Sequence, residues 1–259
     1  MSAGPRSGGP ASVPLPGAPR PARVLDGAQR LDGRGPEEVR PVFFDTKVIS
    51  QAKGSAYAEF GRSKVMAAAY GPRQSERRFG FADTGRLNVE ARATSFAAPG
   101  RAGQPQAQRA AERELQEAVA RALEAAVLLD RFPKAVVDVY VVVLESGGSD
   151  LAVAICAASL ALADAGVELL DLVPACAVAL VGGSTLLLDP SADEAHAAGG
   201  TLTLAMMPGP NEVTQLALGG EWAPAAAREA TELAMGGCAQ LRAAMRATLL
   251  AAAQAAAPG

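Results

Sequence analysis

Residues 136–166 read VVDVYVVVLESGGSDLAVAICAASLALADAG, and this stretch decides the fold. Residues 136–144 are almost all apolar and β-branched, the composition of a central strand buried on both faces. Gly147-Gly148-Ser149 breaks the run with a turn. Residues 150–165 are then apolar or small on every helical face, which predicts a helix sunk in a core. A buried strand, a glycine turn and a buried helix in immediate succession form the centre of a layered domain.

Working outward from that centre, residues 40–44 and 47–50 predict a short strand and its return. Residues 56–60 and 64–70 predict a hairpin about Gly61-Arg62-Ser63, ended by Gly71-Pro72. Residues 87–96 predict another strand, with Leu87, Val89 and Ala91 on one face. Residues 99–108 are a polar loop with glycine and proline. Leu115, Val119, Leu123, Ala126 and Val127 recur at helical spacing and predict a helix over about 109–129, stopped by Phe132-Pro133-Lys134.

On the other side, residues 172–180, 184–188, 201–207 and 213–218 predict four strands. Gly182-Gly183 and Gly219-Gly220 punctuate them. Residues 224–250 predict an alanine-rich helix interrupted by Gly236-Gly237. The order of elements gives an α+β fold in two similar sheet-and-helix halves.

Residues 1–30 are rich in proline, glycine and alanine and are expected to be a disordered tail. They lack the apolar stretch of a secretory signal. The domain is expected over 31–250, with an alanine-rich end at 251–259 that frays.

Composition removes several function classes. A chain of 259 residues that is 49% hydrophobic can bury a large core. Its formal net charge of −3 excludes the global basic field of a free DNA-binding module. Cys156, Cys176 and Cys238 stand singly in apolar segments without a CxxC pair, and read as reduced, buried thiols. The one histidine, His196, excludes a multi-histidine metal site. It lies in a polar stretch and reads as a surface residue rather than a general base. No apolar run reaches the ~20 residues of a membrane span. No cofactor and no metal are expected.

Five motifs in order resemble the ribonuclease PH family. They are Leu31-Asp32-Gly33-Arg34, then Gly54-Ser55-Ala56 with Gly61-Arg62-Ser63-Lys64-Val65, then Gly71-Pro72-Arg73. Leu160-Ala161-Leu162-Ala163-Asp164-Ala165-Gly166 and Leu187-Leu188-Asp189-Pro190 complete the set. The resemblance covers about residues 31–250. It implies the ribonuclease PH fold, which is ribosomal protein S5 domain 2-like. Within the family, Glu145-Ser146-Gly147-Gly148-Ser149-Asp150 and Asn211-Glu212-Val213-Thr214-Gln215-Leu216 resemble exosome ring subunits of the mRNA transport regulator type, in the plant-like version.

That resemblance implies partners: other ribonuclease PH-like ring subunits, as a heterodimer within a hexameric ring, RNA-binding cap subunits, and single-stranded RNA. It also implies a place in the nucleus and nucleolus, and in the cytoplasm.

Active members of the family use phosphate to cleave RNA from its 3′ end. They hold the phosphate at a helix N-terminus, where free amides and the dipole favour an anion, with an arginine clamp in a Gly-Gly-Thr-Arg loop. Here the loop is Gly147-Gly148-Ser149-Asp150, so a carboxylate stands in for the guanidinium. Ser146 takes the place of an aspartate. Asp189 matches one family aspartate, but Ala195 and Thr201 stand where acidic residues follow six and twelve positions later. Asp193 and Glu194 are the nearby acids that could substitute. Asp189 itself reads as a surviving metal ligand or as a strand-end turn residue before Pro190, with the turn favoured.

Arginines are densest between Gly71 and Arg113, and Arg77-Arg78 is followed by Phe79 and Phe81. Basic residues interleaved with aromatics suit single-stranded nucleic acid, and a solvated loop is the plain alternative. Arg86, Arg92 and Arg101 are the RNA-binding candidates, because the resemblance turns that region toward RNA. Three functions remain in view: a non-catalytic, RNA-guiding ring subunit, an active phosphorolytic exoribonuclease, and a free-standing binding module.

Overall fold

Alternation along the chain builds the first sheet, seen here in a computed structural model that describes residues 25–26, 29–74, 84–97 and 105–256. Its strands are β3 (Val42–Thr46), β4 (Gly54–Phe60), β5 (Ser63–Gln74), β6 (Arg86–Ala93) and β7 (Ala135–Glu145), in the order β3-β4-β5-β7-β6. All neighbours are antiparallel except β6 and β7, which run parallel and are joined across α1 (Pro105–Glu124). Two short strands precede it, β1 (Leu25–Asp26) and β2 (Gln29–Arg30), which pair with each other. The described residues therefore begin inside the segment expected as a tail.

The helix that follows the glycine turn is α2 (Asp150–Asp164), and Leu151 to Leu162 are all buried in it. It packs on β4, β5 and β7 on one side and reaches β8, β10 and α4 of the second half on the other. Close approach needs glycine: a Cβ on Gly54 of β4 would lie 2.1 Å from the Ala165 amide nitrogen at the end of α2. The second sheet holds β8 (Ala175–Val181), β9 (Thr185–Leu188), β10 (Gly200–Met207) and β11 (Glu212–Gly220). Its order is β11-β10-β8-β9, antiparallel throughout. Two further helices lie in this half, α3 (Ala192–Ala197) and α4 (Pro224–Ala256), and α4 covers β8 and β10. One hydrophobic cluster runs through both halves, with α2 at its centre.

Several local expectations change in three dimensions. β7 is not buried on both faces. Val137, Val139, Val141 and Val143 are buried beneath the helices, whereas Tyr140 on the other side is 39% exposed and Val142 half-buried. The helices cover only one face, so the opposite face of the first sheet lies open. Residues 47–50 form no strand: Lys47 has φ 61° and the Ile49 N–H donates to the Ser55 hydroxyl. β5 does not stop at Gly71-Pro72. It passes a register shift between Tyr70 and Arg73 and continues to Gln74.

α1 begins at Pro105 and ends at Glu124, short of residue 129, because Val127 turns away to bridge Leu169. α4 is unbroken through Gly236-Gly237 and stays helical to Ala256 within the segment expected to fray. Gly237 is there for contact: a Cβ would lie 2.8 Å from Cys176 Sγ. α3 has no counterpart in the sequence reading; it is short and alanine-rich, and its signal is the capping box Ser191–Glu194. The three thiols are buried and free. No helix among the described residues is long and apolar enough to cross a membrane.

Candidate functional site

The loop Ser146–Asp150 leaves β7 beside the segment that leaves β9, and the two are tied together. The Ala192 N–H donates to the Gly147 carbonyl at 2.8 Å, and the Ser149 hydroxyl donates to the Pro190 carbonyl at 3.1 Å. Gly148 has φ 105°, and a Cβ there would lie 2.6 Å from the Pro190 carbonyl oxygen and the Ala192 nitrogen. Only glycine permits that approach. The fold thus brings Ser146, Asp150 and Asp189 to one place. Ala195 sits on α3, and Thr201 stands in β10 opposite Ala179 and Gly219.

α2 starts with an unusual cap. Ser149 is in the left-handed region and its side chain caps no amide. Its hydroxyl is committed to Pro190 instead. Asp150 opens the first turn, and the Ser146 hydroxyl donates to its Oδ2. A carboxylate fixed at a helix N-terminus interacts well with the dipole and occupies the electrostatic position of an incoming anion.

Asp189 is 1% exposed and gripped by Arg40. Arg40 Nε donates to Oδ2 at 2.8 Å and Nη2 to Oδ1 at 2.7 Å, while the Arg40 backbone N–H donates to Oδ2 at 3.1 Å. The same guanidinium donates to the Gly147 carbonyl at 3.1 Å, the Gly148 carbonyl at 3.0 Å and Ser63 Oγ at 3.2 Å. Both carboxylate oxygens are therefore used, and the bidentate geometry is the strong form of the pair. Asp189 itself stands at the end of β9 with left-handed φ 48°.

Glu194 is held in the same way. It is 4% exposed, its Oε1 lies 2.9 Å from Arg30 Nε, and its Oε2 accepts from the Ser191 N–H in the capping box. Arg30 is 2% exposed and also donates to the Leu188 carbonyl at 2.7 Å. Burial lowers the Arg30 pKa, with Glu194 acting in the opposite direction. Arg34 binds the Asp32 carboxylate at 2.7 Å and the Asp189 carbonyl at 3.3 Å. So Glu194, one of the two acids that could have substituted, is committed to arginines. Asp193 is exposed in the first turn of α3. Among the described residues no cluster of three histidine, cysteine or acidic side chains could hold a metal.

His196 is half-buried rather than on the surface. It sits in the last turn of α3 with Nδ1 2.6 Å from the Ala192 carbonyl oxygen.

Of the RNA-binding candidates, Arg86 and Arg92 are exposed on β6, at the edge of the sheet, and Arg101 lies outside the described residues. Arg77, Arg78, Phe79 and Phe81 lie outside them too. Arg92 Nε donates to Glu90 Oε1 at 2.8 Å.

The residues that sequence reading missed are Arg30 and Arg40. A signal was present for the second. Val42, Phe44 and Thr46 alternate onto the inner side of β3, and Arg40 continues that parity into the core. A charged residue at an inward position calls for a buried partner.

The comparisons with known proteins bear on the fold and the family. The chain is 44% identical over 193 residues to the exosome complex component RRP41-like of Arabidopsis thaliana, covering 74% of this chain and 73% of that protein. It is 45% identical over 202 residues to the human exosome complex component MTR3, covering 73% and 74%. Rice Rrp46 shares the fold with TM-score 0.74 at 24% identity, over 85% of this chain and all of that one. A chain of the Archaeoglobus fulgidus exosome, solved with RNA bound to the active site, superposes with TM-score 0.71 at 25% identity, over 83% and 92%. Residues 38–168 match domain 1 of the 3′ exoribonuclease family and residues 171–237 match domain 2, one for each half of the fold, and the chain belongs to that family, the ribonuclease PH family.

Proposed function

We propose that this chain is a non-catalytic ring subunit of the RNA exosome, which supports 3′-to-5′ RNA processing and degradation by completing the ring and guiding RNA. The observation that carries the reading is the Asp150 carboxylate, set at the N-terminus of α2 and hydrogen-bonded by Ser146. That carboxylate takes the place at the helix N-terminus that a bound phosphate would need. Of the other acids nearby, Asp189 and Glu194 are engaged by Arg40 and Arg30, and Asp193 points to solvent on α3.

Its partners on this reading are other ribonuclease PH-like subunits of a hexameric ring, RNA-binding cap subunits and single-stranded RNA. Its location is the nucleus and nucleolus, and the cytoplasm. The likeness to RRP41-like and MTR3 exosome components supports the ring assignment.

The alternative is an active phosphate-dependent 3′–5′ exoribonuclease, and the likeness to archaeal Rrp41 chains favours it. One assay decides between them. Purified chain is incubated with RNA and inorganic phosphate, and nucleoside diphosphate release is followed. The expected result is none above a blank. Phosphate-dependent release by the chain alone would sink the non-catalytic reading.

A further inference from the structure

We infer that Phe96 is a stacking platform for a base of single-stranded RNA, set at the end of β6 and flanked by arginines. The inference rests on the RNA-guiding reading and adds the residue that touches the base. Phe96 is 76% exposed, more than any other large hydrophobic side chain among the described residues. An aromatic in water costs free energy unless something covers it part of the time.

The backbone beneath it is fixed. The Thr94 N–H donates to the Val143 carbonyl at 3.0 Å and the Thr94 hydroxyl to the Leu144 carbonyl at 3.2 Å. The Ala97 N–H closes a turn on the Thr94 carbonyl at 3.0 Å, and the Ala97 carbonyl accepts from the Ser146 N–H at 2.8 Å. Ala97 itself is buried. Phe96 therefore projects from a turn pinned at both ends to the last residues of β7, next to the loop that leads into α2. A ring held this way loses little freedom when a base settles on it.

The surroundings are basic. Gln108 of α1 donates to the Ala93 carbonyl at 3.1 Å, and Glu112 accepts from the Ala93 N–H at 3.1 Å, which docks the start of α1 three residues before Phe96. Arg109 and Arg113 follow those two docking residues, one turn apart on the neighbouring stripe of the helix, and both are exposed. Arg92 projects from β6 with its side chain 73% exposed. Glu90 pairs with Arg92 and Glu112 accepts from the Ala93 amide, so the cations this corner offers to phosphates are chiefly Arg109 and Arg113, with Glu114 and Asp150 as the acids beside them. An exposed aromatic among arginines is how single-stranded nucleic acid is held without regard to sequence: the ring takes a base face and the guanidiniums take phosphates. The arginines favour this occupant over an apolar side chain of a neighbouring subunit.

The test uses the full chain assembled with its ring partners, and fluorescein-labelled oligoadenylate read by anisotropy. Phe96→Ala is expected to weaken binding about 5- to 100-fold, and Phe96→Trp to restore it. An oligomer of the same length made of abasic ribose phosphates should bind the wild-type and Phe96→Ala rings equally, because it offers no base to stack. Arg92→Gln with Arg109→Gln and Arg113→Gln should flatten the salt dependence for both oligomers.

Wild-type and Phe96→Ala rings that bind oligoadenylate equally would overturn the inference and leave the RNA-guiding reading standing. A wild-type ring whose affinity does not depend on the presence of this chain would overturn both. Failure of a folded Phe96→Ala chain to enter the ring would assign Phe96 to a subunit contact and overturn it as well.

Discussion

Arg40 shows how one side chain can decide what a site does. Its guanidinium joins the start of β3 to Asp189 at the end of β9 and to two carbonyls of the loop before α2. A buried charge left without its partner costs several kcal/mol, so Arg40→Met should lower stability by about 3–5 kcal/mol. Adding Asp189→Leu should recover much of that loss. Chemical denaturation of both variants and the wild type checks the prediction; additive losses would show that the pair is not coupled. Asp150→Arg tests the other end of the site. It exchanges a favourable charge at the α2 N-terminus for an unfavourable one and removes the Ser146 bond, at about 0.5–2 kcal/mol. Denaturation midpoints without phosphate measure it, and an equally stable variant would refute the helix-end argument. On the non-catalytic reading the variant should release no nucleoside diphosphate either, since Ala195 and Thr201 supply no carboxylates.

The thiols make a pH prediction at the same scale. Burial pushes Cys156 up to about 12, despite the Ala175 backbone acting the other way, and Cys176 and Cys238 are raised as well, again by burial. A free thiol near pKa ~8.5 becomes steeply more reactive from pH 7 to 9. In the native chain all three thiols should stay silent to a thiol reagent across that range, and all three should react once the chain is denatured. Because protonated thiols are favoured in the fold, this contribution to stability is intact below the free-thiol pKa of ~8.5 and is lost progressively as pH rises from there toward the raised values. Native labelling that rises with pH would contradict the burial.

At the scale of an element, α4 separates two glycines that look alike in sequence. Gly236 is exposed and a Cβ would meet nothing within 4 Å, whereas at Gly237 it would press on Cys176 Sγ and on Leu188 Cδ1 at 3.2 Å. Gly236→Ala should stabilise by about 0.5–1 kcal/mol through helix propensity. Gly237→Ala should destabilise by about 1–3 kcal/mol through overpacking. Thermal unfolding of the two variants gives the signs directly, and equal signs would mean that α4 does not sit on β8 as described. The Gly-Gly pair reads as a helix break because propensity is all that a local reading sees. The closeness of α4 to Cys176 is a long-range fact.

At the scale of the whole molecule, the two halves share one core but leave two surfaces open. The outer face of the first sheet presents Phe43, 56% exposed, together with Tyr57, Tyr70 and Tyr140, and Tyr70 packs edge-on to Tyr140 at 5.7 Å. The edge strand β11 presents Val213, Leu216 and Leu218. An apolar edge strand and an aromatic face are costly in a free monomer. The chain should therefore bind a hydrophobic dye when purified alone, and should melt several degrees higher and bind less dye when copurified with a ring partner. A monodisperse monomer with no gain in melting temperature on adding a partner would contradict this.

The sequence by itself determined the architecture. The run 136–144 reads as a strand and 150–165 as a buried helix, because a short β-branched run and a longer apolar run of alanine and leucine each favour one element. The order of elements followed, as did a carboxylate at position 150, since a charge is legible wherever it lands. The tertiary structure alone decided which face of β7 is covered, since a run of valines does not say on which side the helices will pack. It alone showed that Asp189 and Glu194 are held by Arg40 and Arg30, residues 149 and 164 positions away in the chain. It also tied Ser149 to Pro190 and placed Phe96 on a pinned turn. Each of these depends on which distant segments meet, and a pairing across such separations leaves no periodic trace in either partner.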